Sequence, residues 1–96
     1  ISKIKPVHMG YNKVQFTLET SDWLKYSPSE DYFYFLHSYY AKDLSNISKN
    51  IGTTSYGNNT FCSFFKKDNV IGIQFHPERS GKAGLKFLKQ TIDSLI

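Results

Sequence analysis

A single cysteine, Cys62, occurs among the 96 residues, so no disulfide can close within the chain. Small secreted scaffolds lean on such bridges, and their absence points to the reducing cytoplasm. No apolar run approaches the roughly 18 residues of a membrane-spanning helix, and no apolar signal segment opens the chain; no membrane partner is expected. The three histidines, His8, His37 and His76, stand far apart without ligand spacing, so no metal site is expected. An initiator methionine is missing too. The chain opens Ile1-Ser2-Lys3-Ile4, as either a processed chain or a piece of something longer would. Acidic residues number 8 against 12 basic ones, a net charge of +4. That balance permits nucleic-acid binding, but the basic, glycine and interleaved aromatic signature of an RNA-recognition sheet is absent. Lys82, Lys86 and Lys89 fall at helical spacing and read as one solvated helix face. No nucleic-acid partner is expected.

What the chain has in excess is aromatic surface: 17% of residues, with 7 Tyr and 8 Phe. At 40% hydrophobic and 21% charged, it is no disordered polyelectrolyte. Residues 1–12, punctuated by Pro6, Gly10 and Asn12, read mostly as loop. Val14-Gln15-Phe16-Thr17-Leu18 alternates as a half-buried strand. Residues 21–31, around Trp23 and Pro28, read as a connection with one short helical turn. Tyr32-Phe33-Tyr34-Phe35-Leu36-His37 is aromatic or apolar almost throughout and fits a strand covered on both faces. Residues 41–50 are polar and irregular. Ile51-Gly52-Thr53-Thr54-Ser55-Tyr56 is a weaker strand ended by the turn Gly57-Asn58-Asn59. A hairpin follows, from Phe61 to Phe65, through Lys66-Lys67-Asp68-Asn69, back along Val70-Ile71-Gly72-Ile73-Gln74-Phe75. Leu85, Leu88, Ile92 and Leu95 mark an amphipathic helix from about Lys82, with Ser80 as its N-cap. Phe33, Phe35, Phe61, Phe64 and Phe75 are the expected core.

The sharpest local pattern is Phe75-His76-Pro77-Glu78. Pro77 keeps His76 out of the helical region, and residues two apart in an extended segment point to one side. Glu78 can then accept a hydrogen bond from one imidazole nitrogen, leaving the other to take a proton from a nucleophile. That is the orienter and base of a catalytic triad. The one thiol, Cys62, sits inside a strand and not on a turn entering a helix, so it reads as a core residue.

The residues from Ile71 to Gly81, Ile71-Gly72-Ile73-Gln74-Phe75-His76-Pro77-Glu78-Arg79-Ser80-Gly81, resemble the closing GxQFHPE motif of class I, triad-type glutamine amidotransferases. Two further blocks narrow the likeness. His8-Met9-Gly10-Tyr11-Asn12 resembles the HMGWN block, and Tyr34-Phe35-Leu36-His37-Ser38-Tyr39-Tyr40 the YFVHSYY block, of the HisH-type glutaminase subunit of imidazole glycerol phosphate synthase. Gly52-Thr53-Thr54 and Tyr56-Gly57 match that subunit's pattern as well.

The resemblance implies an α/β, flavodoxin-like three-layer fold. Residues 1–96 would be its strand-rich C-terminal half, ending in a helix. It implies that His76 is the general base and Glu78 its orienting carboxylate. Ser38 and Tyr39 would hold the α-groups of glutamine, largely through backbone. Tyr11, where the family usually has tryptophan, and Arg79, where lysine is commoner, would face a partner, a cyclase subunit with a (β/α)₈ barrel, in a heterodimer. No metal or organic cofactor is implied. The family's nucleophilic cysteine and oxyanion-hole glycine belong to its N-terminal half, so the 96 residues alone are expected to be inactive and to leave apolar surface exposed. Two rivals stand beside this reading: a paralogue supplying ammonia to a sugar-modifying enzyme of surface-polysaccharide synthesis, and a non-catalytic binding domain in which His76 and Glu78 are a loop pair.

Overall fold

A computed structural model describes residues 2–24, 30–41, 48, 50–68 and 70–95. Five strands and two helices follow in the order β1 (Ser2–Phe16), α1 (Leu18–Leu24), β2 (Glu30–Tyr40), β3 (Asn50–Tyr56), β4 (Asn59–Lys67), β5 (Val70–Ile73) and α2 (Gly81–Leu95). A short 3₁₀ turn, Pro77–Arg79, precedes α2. The strands form one sheet in the order β2-β1-β3-β4-β5, with every pairing antiparallel. Ala41, just past β2, bridges Cys62 of β4, so the sheet curls until its first strand approaches its fourth. This strand-rich curled sheet with a C-terminal helix agrees with the expected fold. Among the described residues, no helix is long and apolar enough to cross a membrane.

The expected hairpins and terminal helix are present, and three expectations need correction. Residues 2–12 are strand, not loop. Between residues 7 and 12 the less exposed positions carry His8, Gly10 and Asn12, none of them an aliphatic side chain, so no hydrophobic alternation marks this part. Pairing with β2 makes it a strand, from Met9 opposite Leu36 to Asn12 opposite Phe33. Gly10 sits at φ 117°, a backbone setting that side chains resist. Second, β2 lies at one end of the strand order and is buried on one face only. Phe33 and Phe35 are buried, while Tyr32 and Leu36 are exposed. Third, α2 turns a different stripe inward: Gly84 and Phe87 are buried, Leu88 is half-buried, and Leu85 and Ile92 are 68% and 55% exposed. The helical turn expected in residues 21–31 begins earlier, as α1, where Thr17 Oγ accepts from the Thr20 N–H in the manner of an N-cap. Residues 25–29 of that connection, 42–47 and 49 of the polar segment, and Asn69 of the hairpin turn lie outside the described residues.

All five expected core phenylalanines are buried, joined by Val14, Phe16 and Phe87. Phe87 carries α2 onto the sheet: its ring meets those of Phe16, Phe33, Phe64 and Phe75 at centroid distances of 5.0 to 6.1 Å. The Phe16 ring stacks on it and the other three meet it edge-to-face, contacts that add to the large area each ring buries. Gly84, one turn earlier, lets the helix close on the 3₁₀ turn. A methyl group there would run into the Pro77 carbonyl oxygen.

Candidate active site

The chain leaves β5 at Ile73, anchors itself with the buried Phe75, and presents His76 in an extended conformation (φ −107°, ψ 93°). Pro77 enforces this. It disfavours a helical residue before it and starts the 3₁₀ turn without an N–H to satisfy. Both backbone groups of His76 are fixed. Its N–H donates to the Tyr34 carbonyl of β2 at 2.9 Å. Its carbonyl accepts from the Arg79 N–H at 3.0 Å and from the Ser80 hydroxyl at 2.6 Å. Ser80 Oγ in turn accepts from the Tyr34 N–H at 2.8 Å. One residue of the outer strand, Tyr34, thus clamps the histidine segment at both ends. Ser80 also stands at the N-cap position of α2, its carbonyl accepting from the Gly84 N–H.

On this clamped backbone His76 Nδ1 lies 3.0 Å from Glu78 Oε2. The carboxylate accepts, so Nδ1 carries the hydrogen and Nε2 keeps a lone pair. The contact arises differently from the sequence-based expectation. Glu78 lies within the 3₁₀ turn, so the turn, and not strand alternation, brings the carboxylate round to the ring. Both side chains are accessible, at 38% and 62% exposure. The Glu78 carboxyl is held below its ordinary value, first by its own backbone N–H and then by the His76 ring. A carboxylate that stays ionised holds one tautomer and stabilises the imidazolium when the ring takes a proton.

Tyr11 and Arg79 complete a cluster around Tyr34. The Tyr11 hydroxyl donates to the Arg79 carbonyl at 3.0 Å, the two tyrosine rings meet edge-on at 5.7 Å, and the Arg79 guanidinium lies 4.9 Å from the Tyr34 ring centre. Tyr34 and Ser80 are site-building residues that sequence reasoning missed as such; Tyr34 stands in an unbroken aromatic run that gives it no mark of its own.

Ser38 and Tyr39 do not join this cluster. They lie four and five residues farther along β2, roughly 13 to 17 Å at the rise of a strand. Tyr39 lines a cavity of about 250 Å³ with Tyr40, Ala41 and Gln74. Gln74 precedes His76 by two residues, at most about 7 Å of chain, so this cavity opens beside the histidine segment. Cys62 is buried in β4, its thiol donating to the Phe64 carbonyl at 3.1 Å, the inert setting expected of it. His8 and His37, distant in sequence, are hydrogen-bonded neighbours at 2.8 Å. Among the described residues no group of three or more metal-ligating side chains gathers.

Residues 1–94 match the sequence profile of a family described as glutamine amidotransferase class-I. The imidazole glycerol phosphate synthase subunit HisH 2 of Methanococcus maripaludis is 42% identical over 93 residues, 95% of this chain and 44% of that protein. The HisH subunit of Trichodesmium erythraeum is 39% identical over 88 residues, covering 92% of this chain and 41% of that protein. The fused imidazole glycerol phosphate synthase hisHF of Schizosaccharomyces pombe is 41% identical over 85 residues, 85% of this chain and 16% of that protein. The chain spans less than half the length of the curated relatives it matches.

Proposed function

The chain belongs to the class-I glutamine amidotransferase family, and from that premise we propose that it is the C-terminal part of a single amidotransferase domain carrying the base and its orienting carboxylate. In the complete protein, glutamine is hydrolysed to glutamate and ammonia, and the ammonia passes to a cyclase partner for histidine biosynthesis. The single observation that carries the reading is the 3.0 Å bond from His76 Nδ1 to Glu78 Oε2 on a backbone clamped to Tyr34.

That geometry supports the following reaction. A cysteine thiol supplied outside these residues gives its proton to His76 Nε2, and the thiolate attacks the side-chain amide carbon of glutamine. The resulting imidazolium, held by Glu78, returns the proton to the amide nitrogen as the carbon–nitrogen bond breaks. Ammonia leaves and a glutamyl thioester remains. His76 then takes a proton from water, the hydroxide opens the thioester, and the thiol regains its proton as glutamate departs. The α-groups of the substrate lie by Ser38 and Tyr39, in the cavity that Tyr39 shares with Gln74, and the amide reaches toward His76. Tyr11 and Arg79, on the accessible side of the Tyr34 cluster, face the cyclase subunit.

The test compares two preparations. The complete protein releases glutamate from glutamine, and its gene restores growth of a histidine auxotroph; the purified 96 residues release none. Glutamate release by the 96 residues alone would overturn the division of the triad. Failure to rescue the auxotroph, with glutaminase activity intact, would move the protein to another ammonia-consuming partner.

A further inference from the structure

Behind the proposed substrate strand runs a chain of side-chain hydrogen bonds whose direction can be worked out link by link. Asn12 is oriented twice over: its Oδ1 accepts from the Lys13 N–H at 2.7 Å, and its Nδ2 donates to the Ser55 carbonyl at 2.9 Å. The same Nδ2 lies 3.2 Å from His8 Nε2, which must therefore accept. A neutral imidazole has one donor and one acceptor, so His8 Nδ1 carries the hydrogen and donates to His37 Nε2 at 2.8 Å. His37 Nε2 then accepts, which leaves Nδ1 as donor. That nitrogen lies 2.8 Å from the Tyr39 carbonyl oxygen, a group that only accepts. The directions deduced from the two ends agree.

The chain is rigidly housed. His8 is 2% exposed and sandwiched between Phe35 at 4.6 Å and Tyr56 at 4.1 Å. Burial, with His37 beside it, lowers its pKa from 6.5 to about 4, so it is neutral at ordinary pH. The place of the last link matters. The β1–β2 register shifts between His8, opposite His37, and Lys3, opposite Tyr39. Where the regular ladder slips, the His37 side chain fixes the peptide plane of Tyr39 directly.

We propose that His37, backed by His8 and Asn12, is a positioning residue that sets the Ser38 and Tyr39 backbone for the α-groups of glutamine. The proposal rests on the function proposed above. It assigns to the histidine of the second sequence block and the histidine and asparagine of the first one joint task, holding the binding strand and not reacting.

Two measurements on the complete protein test it. Nitrogen-15 NMR of the imidazoles shows His8 and His37 both as neutral Nδ1–H tautomers; an Nε2–H tautomer at either residue overturns the hydrogen-bond chain. In steady-state kinetics, His37→Ala raises the glutamine KM about five- to tenfold with kcat within about twofold, the size expected for one lost neutral hydrogen bond. His37→Asn, whose amide NH₂ can occupy the Nδ1–H position, recovers most of that loss. An unchanged KM in His37→Ala overturns the proposal, and so does a fall in kcat that His37→Asn does not repair. If the wild-type protein consumes no glutamine, the functional reading has failed instead, and the tautomers still judge the hydrogen-bond chain.

Discussion

Two histidine settings in this small molecule do opposite things with the same ring. At His76 the imidazole is accessible, its Nδ1 is tied to a carboxylate, and its second nitrogen keeps a lone pair. At His8 the imidazole is buried between two aromatic rings, and its neighbours are an amide and a second neutral imidazole. An apolar sandwich with a histidine beside it makes gaining a proton costly for His8. The first ring is suited to moving protons and the second to refusing them. Environment, not residue type, divides the labour.

The sharpest way to break this contrast is to remove the carboxylate. Glu78→Gln in the complete protein should lower glutamine turnover about 100-fold or more, the usual scale for acid–base assistance, while the unfolding midpoint hardly moves. Both partners are exposed, so their ion pair adds little to stability. A turnover rate within twofold of wild type would erase the distinction between the two histidines.

A smaller effect belongs to His8. Its folded-state value of about 4 lies below the ordinary 6.5, so between those pH values the unfolded chain binds more protons than the folded one. Stability is therefore complete above about pH 6.5 and declines as pH falls toward about 4. Thermal unfolding followed across that window should show the midpoint dropping with acid; a flat midpoint would mean that His8 accepts a proton without cost. The depressed carboxyl of Glu78 acts in the same direction but at lower pH, below its ordinary 4.5, and weakly because it is exposed. Smallest of all, Tyr11→Phe removes the bond to the Arg79 carbonyl at an exposed site. It should cost under about 1 kcal/mol in unfolding free energy. A larger loss would show that the outer cluster, and not the Tyr34 backbone clamp, holds the His76 turn.

The same contrast explains what could be read from residues alone. The His76 pair was legible because its partners are neighbours in sequence, with a proline between them that restricts the backbone. The β3, β4 and β5 strands were legible because alternation and turn residues mark them locally. His8 and His37 were read as separate, since their sequence separation of 29 closes only when β1 pairs with β2. The stretch before Val14 escaped for a related reason: His8, Gly10 and Asn12 are polar or small, and His8 gains its cover from Phe35, Tyr56 and His37. On β2 the outward Tyr32, Tyr34 and Leu36 are apolar too, and Tyr32 and Leu36 are exposed among the described residues. On α2 the leucine stripe was conspicuous, yet Phe87 decides the buried face because the rings of four phenylalanines converge on it. Leu85 and Ile92, two members of that stripe, are exposed.

The central claim, that His76 moves the proton, is tested most directly by the rate of glutamate release from glutamine in the complete protein carrying His76→Asn. The account predicts a fall of about 1,000-fold or more, with the fold and the His8 and His37 tautomers unchanged. Glutamine turnover within a few-fold of wild type would contradict it and leave His76 and Glu78 as a surface pair.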